Sequence, residues 1–277
     1  MLRPARDAEI VQLESRAISA GTDRRIFVLE HDGVIAGAAA VLHKPFESGI
    51  LKRRVAQIDA IEAWESTSDI ETLAAETLET LAKGGVDLVA CRRPESDRQT
   101  LTALQRAGMC VVECLMTLSH PLKDIPTAEA GIAARDETDA AGCASVGERA
   151  FRFDRFHADP LVDDAAADAL KGAWARNAVL GRADRVFVTR EGDRITGFNA
   201  CLLRDGAAVI DLIGVDPDFQ GRGLGRCLVN AALAHYSGRA ARLVVGTQSA
   251  NHVSLALYQR TGFVVEHSAL TLHAHLS

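Results

Sequence analysis

The chain has 277 residues, 48% of them hydrophobic and 25% charged, with a formal net charge of −6. That length suits two α/β domains with real cores, and an acidic balance without a Lys/Arg block argues against nucleic acid or an anionic membrane as the main partner. The opening MLRPARDAEI has no apolar run with a cleavage site, no stretch approaches the ~18 apolar residues of a membrane span, and six cysteines without CxxC spacing fit reduced thiols, so a cytoplasmic protein is expected.

Taken in chain order, the sequence states one plan twice. Residues 25–42 (RIFVLEHDGVIAGAAAVL) and 185–203 (RVFVTREGDRITGFNACLL) each read as two apolar, β-rich runs around a turn with Gly and Asp, which predicts a hairpin. A further strand is expected at 55–63 and at 207–215, then a helix at 70–83 and at 224–235. A short apolar strand follows at 86–91 and 242–246, and a second helix at 97–107 and 252–261. Each second helix ends at a glycine, where a left-handed cap costs little. Each also runs into nearly the same phrase, LQRAGMCVVE at 104–113 and LYQRTGFVVE at 257–266, before a terminal strand. Pro121 and Pro126, in HPLKDIPTAEAG, mark a linker. The expected organisation is a first domain over 1–122, a linker over 123–130 and a second domain over 131–277.

The copies differ where chemistry would sit. Between strand and helix the second copy has Gln220-Gly-Arg-Gly-Leu-Gly225, whereas the first has EAWESTSDIE without a glycine. The second has Tyr258 where the first has Leu104. A glycine cluster ahead of a helix lets backbone N–H groups approach an anion, and the helix N-terminus adds its dipole, so a pyrophosphate is the natural guest. A dinucleotide fingerprint fails, because the spacing is wrong and the next strand ends in Val245-Gly-Thr247 rather than an acidic residue. A P-loop fails for want of GKS or GKT. The acyl-CoA pattern Gln/Arg-x-x-Gly-x-Gly/Ala is met by Gln220, Gly223 and Gly225, with Val215-Asp-Pro217 just upstream. His273 and His275 share one face of a strand, but two imidazoles without a third ligand do not make a metal site, and no metal is expected.

With that loop and Asn251-His-Val-Ser-Leu-Ala-Leu-Tyr258-Gln-Arg-Thr-Gly-Phe263 together, residues 131–277 resemble a GNAT-type N-acetyltransferase domain. The fold this implies is α/β (α+β): a tandem GNAT arrangement, each half a mixed, mostly antiparallel central sheet flanked by helices, with the first half degenerate. Arg155-Phe-His-Ala-Asp-Pro160, the helix carrying Trp174 and Asn177, and Gly246-Thr-Gln248 are similar to a narrower group, the bacterial dTDP-fucosamine (TDP-4-amino-4,6-dideoxygalactose) acetyltransferases. That group also carries a truncated GNAT-like N-terminal domain. The Trp-Asp-Ser…Phe-Phe-Gly segment expected of it appears here only as Phe46-Glu-Ser-Gly-Ile.

The resemblance implies acetyl-CoA as acyl donor. It implies that the strand over 211–215 lends backbone groups of Ile213, Gly214 and Val215 to the pantetheine arm, much as a sheet edge receives a strand. Gln220, Gly221, Arg222, Gly223, Leu224, Gly225 and Arg226 would hold the pyrophosphate; a solvated helix face is the plain alternative for each arginine alone. Asn251 would both cap its helix and touch the donor. Tyr258 is the expected general acid, because a phenol near pKa 10 is protonated at neutral pH and can protonate a departing thiolate. Its alternative is a core aromatic at helical spacing with Leu255. The base stays open: Asp211 and His157 are the candidates, and a sugar amine can also lose its proton to water. Asp154, His157 and Asp159, in the loop FRFDRFHADP before a helical region at 160–180, are expected to shape the acceptor pocket.

The expected function is acetyl-CoA-dependent N-acetylation of a small-molecule primary amine, with a nucleotide-linked 4-amino-deoxy sugar as the leading acceptor and room for a homodimer. Acetylation of protein N-termini or of another metabolite, as in mycothiol synthase, is the second reading. A non-catalytic CoA-binding protein is the third, and an intact glycine loop beside Tyr258 disfavours it.

Overall fold

Tight turns set the hairpins of a computed structural model that describes residues 1–6, 9–10, 24–123, 125, 133–134 and 137–276. Asp32 and Gly33 (φ 49° and 84°) join β2 (Arg24–His31) to β3 (Val34–His43). Asp205 and Gly206 (φ 49° and 75°) join β9 (Arg194–Arg204) to β10 (Ala207–Val215). Two consecutive left-handed residues match the twist of the flanking strands, which is why Asp-Gly serves at both places. Between β8 (Arg185–Glu191) and β9 only Gly192 is left-handed, at φ 58°.

The chain forms two compact units, Met1–Cys114 with Ala269–Ser277, and Leu115–Ser268. In the first, the strand order is β1 (Leu2–Pro4), β2, β3, β4 (Val55–Ala63), β5 (Leu88–Pro94) and the end of β12 (Val264–His275). In the second, it is β7 (Ala133–Ala134), β8, β9, β10, β11 (Arg242–Gln248) and the end of β6 (Cys110–His120). Within each unit every pairing is antiparallel except one, β4 with β5 and β10 with β11. The units therefore do not follow the sequence halves 1–122 and 131–277, because the last strand of each unit comes from the other half. An apolar run predicts a strand but carries no mark of which sheet it joins. Most of the linker expected at 123–130, including Pro126, lies outside the described residues.

Helices α1 (Pro45–Leu51), α2 (Thr67–Lys83) and α3 (Arg98–Arg106) belong to the first unit. On α2 the positions Ile70, Leu73, Ala74, Leu78 and Leu81 recur at helical spacing and join one core with Ile58, Ile61 and Leu104. The second unit has helices α4 (Ala140–Ala150), α5 (Asp164–Asn177), α6 (Leu224–Tyr236) and α7 (His252–Arg260). Its core has two parts. Leu228, Val229, Leu233 and Tyr258, from α6 and α7, pack with Ala208 and Ile210, while Cys143, Val146 and Ala175, from α4 and α5, pack with Phe198 and Leu212.

The two parts are separated by an irregularity that occurs in both units. Ile210 pairs with Cys201 and Leu212 with Ala200, leaving Asp211 as an extra residue in β10. Ile58 pairs with Val41 and Ala60 with Ala40, leaving Asp59 as the extra residue in β4. An inserted residue shifts the two-residue period, so the strand changes which face its side chains serve. Ala208 and Ile210 before the bulge, and Ile213 and Val215 after it, all lie with the α6–α7 cluster, while Val209 and Leu212 lie with the α4–α5 cluster. Deleting Asp211 should carry Ile213 and Val215 to the wrong face. Urea unfolding is expected to show a loss of more than about 3 kcal/mol, the scale of a truncated core aliphatic; a midpoint unchanged by the deletion would refute the bulge's role.

Candidate active site

Strand β10 is paired on both sides only as far as the bulge. Its parallel partners on β11 run from Ala207↔Arg242 to Ile210↔Val245 and stop there. From Leu212 to Val215 it keeps its antiparallel bonds to β9, while β11 continues with β6 as far as Gln248. Residues 212–215 thus present one edge without a strand partner, and Ile213, Gly214 and Val215 lie on it. Gly214 fits closely there: a Cβ would stand 3.0 Å from the Ala150 Cβ and 3.5 Å from the Phe151 ring.

The chain leaves that edge through a braced turn. The Asp216 carboxylate is buried, accepts the Asp218 N–H at 3.0 Å and is met by Arg149 at 2.8 Å and Arg194 at 2.9 Å. The guanidiniums of Arg194 and Arg222 each stand 4.8 Å from the centre of the Phe219 ring. Gln220 turns its amide back to donate to the Val215 carbonyl at 3.0 Å. Beyond this brace Gly221 and Gly223 are left-handed (φ 76° and 82°), and no atom lies within 4 Å of where a Cβ would stand on either. Gly223 is the N-cap of α6 and offers no side-chain cap. The N–H groups of Leu224 and Gly225 therefore begin the helix without an intrahelical acceptor. The glycine turn stands open at a helix N-terminus, the kind of place where backbone N–H groups can receive an anion such as a pyrophosphate. Arg226 is exposed on the first turn and makes no ion pair among the described residues. Arg222 is held by Phe219 and, at 3.4 Å, by Glu191. The corresponding helix of the first unit is closed to an anion: Ser66 caps it by accepting the Asp69 N–H at 3.2 Å, and Asp69 adds a negative charge to its first turn.

Helix α7 stands against the loop, with the Leu257 side chain 3.4 Å from the Cβ position of Gly225. Asn251 caps this helix by accepting the Ser254 N–H at 3.1 Å. Tyr258 is 2% exposed and packs 5.5 Å from the Phe263 ring. Its hydroxyl makes no hydrogen bond among the described residues. Burial, and secondarily the nearby Cys201, push its phenol above the ordinary tyrosine range, so it carries its proton at neutral pH.

Asp211, the bulge residue, is ion-paired with Arg182 at the end of a π-helical turn (Ala178–Arg182) that follows α5. His157 sits between two carboxylates, with Nδ1 2.5 Å from Asp154 and Nε2 3.1 Å from Asp168. Its side chain is 3% exposed, and a carboxyl oxygen within hydrogen-bond reach of each ring nitrogen favours a proton on both. Burial disfavours that charge, but the hydrogen bonds and charges of Asp154 and Asp168 outweigh it and raise the imidazole's pKa. For Asp154, burial acts in the opposite sense to its partners; His157 and Lys171 prevail and hold the carboxyl at about 2. Asp159 caps the next turn by accepting the Leu161 N–H at 3.0 Å.

The structure therefore joins Ile213–Val215, Gln220–Arg226, Leu257 and Tyr258 through one strand edge, one turn and one helix. Sequence reasoning passed over the brace around Asp216 and Phe219, the Arg182 partner of Asp211, and Lys171. A lysine on the same stripe of α5 as Ala167, Leu170 and Trp174 was the available signal for the last.

Residues 151–263 match the model of the Acetyltransferase (GNAT) family, and the chain carries an acetyltransferase domain of that family. Over 234 residues it is 26% identical to the spore coat polysaccharide biosynthesis protein SpsD of Bacillus subtilis strain 168, covering 82% of this chain and 80% of that protein. Over 266 residues it is 27% identical to the mycothiol acetyltransferase of Thermomonospora curvata, covering 89% and 80%. A tandem GNAT protein from the clavulanic acid biosynthesis pathway shares the fold over 100% of this chain and 98% of its own, with a TM-score of 0.65 at 14% identity. A GCN5-related N-acetyltransferase from Sphaerobacter thermophilus does so over 98% and 86%, with a TM-score of 0.65 at 18% identity. Residues 151–263 thus form an acetyltransferase domain of the GNAT type, and the chain as a whole has the fold of a tandem GNAT protein.

The charge cluster fixes a dependence on pH. Asp154 titrates near 3.9 when unfolded and at about 2 when folded, so its stabilisation is complete above about pH 4 and is lost as the pH falls toward 2. His157 runs the other way: its contribution is complete below about pH 6.5 and is lost as the pH rises through its raised folded value. Asp154→Asn should flatten both limbs of the stability–pH profile measured by urea unfolding, and unchanged limbs would contradict this.

Proposed function

We propose that the protein transfers an acetyl group from acetyl-CoA to a primary amine of a small molecule, and that the acceptor class is a nucleotide-linked 4-amino-deoxy sugar. One observation carries the donor half of the reading: the unpaired edge of β10 runs into a braced glycine turn at an uncapped helix N-terminus. An extended amide-bearing arm with a pyrophosphate behind it suits both parts. The acceptor class draws support from SpsD, named for polysaccharide biosynthesis. The relatives named mycothiol acetyltransferase favour a second reading, with the amine of a mycothiol precursor as acceptor.

In this reading backbone groups of Ile213, Gly214 and Val215 hold the thioester arm, and the N–H groups of Gly221 to Gly225 hold the pyrophosphate. Arg226 adds charge, and Arg222 shapes the turn from its place on Phe219. Asn251 keeps its cap and also touches the donor. The amine nitrogen attacks the acyl carbon, the carbon–sulfur bond breaks, and Tyr258 gives its proton to the departing thiolate. The excess proton on nitrogen leaves to water. In this reading no proton-transfer step falls to Asp211, which is held by Arg182, or to His157, which is held between Asp154 and Asp168.

The test is thiol release from acetyl-CoA with each candidate amine offered in turn, beginning with dTDP-4-amino-4,6-dideoxygalactose and the mycothiol precursor. Release with neither, nor with any other small amine, would sink the reading. With the amine that reacts, Tyr258→Phe should lower kcat by about 10²–10⁴-fold, the worth of a positioned acid, and leave donor affinity and Tm nearly unchanged. Turnover within a few-fold of normal would return Tyr258 to a packing role.

A further inference from the structure

The loop at 151–163 is not a flexible connection. Its first turn is opened by Asp154, which accepts the Phe156 N–H at 3.1 Å on its side chain and the Ala158 N–H at 2.9 Å on its carbonyl. Its second turn is opened by Asp159. What fastens the loop to α5 is ionic. Asp168 and Lys171 stand three residues apart on one face of α5, and both point at the loop. Asp168 meets His157 at 3.1 Å and Arg152 at 2.5 Å, and Lys171 meets Asp154 at 3.2 Å.

Lys171 is only 6% exposed, which is rare for lysine. Its ammonium stands over two rings, 4.6 Å from the centre of Trp174 and 5.2 Å from that of Phe151. Phe151 is also the ring that meets Gly214 on the free edge of β10. One cation thus connects the ionic cluster to the aromatic side chain beside the stretch where the acyl group would lie. Buried ion pairs contribute little net stability against apolar residues of the same volume, yet fix one arrangement where a greasy contact would allow several. The loop exposes Phe153 and Leu161, at 45% and 60%. A rigid turn with outward apolar side chains is suited to meeting a ligand.

We propose that Lys171, with Asp154 and His157, is a positioning device that fixes Phe151 and Trp174 as the acceptor-side wall of the site, and so sets how the acceptor fits. This rests on the reading that an amine is acetylated at the free edge of β10. The group does not touch the reacting atoms; it acts through the rings it holds.

The chain has two tryptophans, so Trp64→Phe leaves Trp174 as the sole reporter. In that background Lys171→Met keeps the volume and removes the charge. Acrylamide quenching of Trp174 should rise at least about twofold. With dTDP-4-amino-4,6-dideoxygalactose, or with whichever amine the unsubstituted chain acetylates, KM for the amine should rise about tenfold or more. Both kcat and acetyl-CoA affinity should stay within about threefold. The double variant Lys171→Met/Asp154→Asn also removes the carboxylate that has lost its lysine, and should fold and keep the raised KM even if the single variant fails to fold. Unaltered quenching would overturn the claim that the cation holds the ring, whatever the activity. Raised quenching with an unchanged KM would overturn the acceptor role. A chain that acetylates no amine fails the reading of function instead, and shows this before any variant is made.

Discussion

One inserted residue decides the architecture of the site. Asp211 interrupts the ladder between β9 and β10, and at the same point the ladder between β10 and β11 ends. The strand beyond it turns Ile213 and Val215 onto the α6–α7 face and leaves their backbone edge unpaired. Without the bulge the apolar pattern would continue in register, and the edge would have no reason to open. Arg182, ion-paired with the bulge residue, ties it to the turn after α5. The brace of Arg149, Arg194 and Asp216 then aims the following turn, and the glycines leave it open.

The first unit shows what the bulge does without the loop. Asp59 occupies the same place, five residues into a nine-residue strand, and Arg24 pairs with it as Arg182 pairs with Asp211. The ladder between β4 and β5 also ends one residue before it, at Ile58↔Cys91. Yet the helix that follows is capped by Ser66 and carries Asp69, and Leu104, fully buried, fills the position of Tyr258. The scaffold of an opened strand is kept, while the glycine turn and the tyrosine are absent. Packing alone is enough to retain a bulge, since deleting it would misplace the apolar side chains of half a strand.

Much of this was legible in the residues, and unevenly. The hairpins were, because Asp-Gly and Gly-Asp admit few alternatives between apolar runs. The glycine turn was, because a missing Cβ is itself the structural feature. The bulges were not, although VAQIDAIEA and AAVIDLIGV carry Ile-Asp at the same place, because an unpaired residue leaves no compositional mark. The exchange of terminal strands was equally silent, since LMTLSH and LTLHAH are apolar enough for either sheet. His157 was legible as a residue of interest but not in its surroundings, which depend on Asp168 and Lys171 from a helix that was read only for Trp174 and Asn177. A buried lysine breaks the apolar stripe of α5 and is the kind of local conflict that points to a site.

The central claim is that the opened edge of β10 and the glycine turn form one continuous binding surface for acetyl-CoA, and that the first unit has no equivalent. Amide hydrogen exchange with and without acetyl-CoA reads this directly, segment by segment. The account predicts new protection over residues 212–226 together with the start of α7, and none over residues 59–70. Protection confined to the first unit, or equal protection of both opened strands, would contradict it.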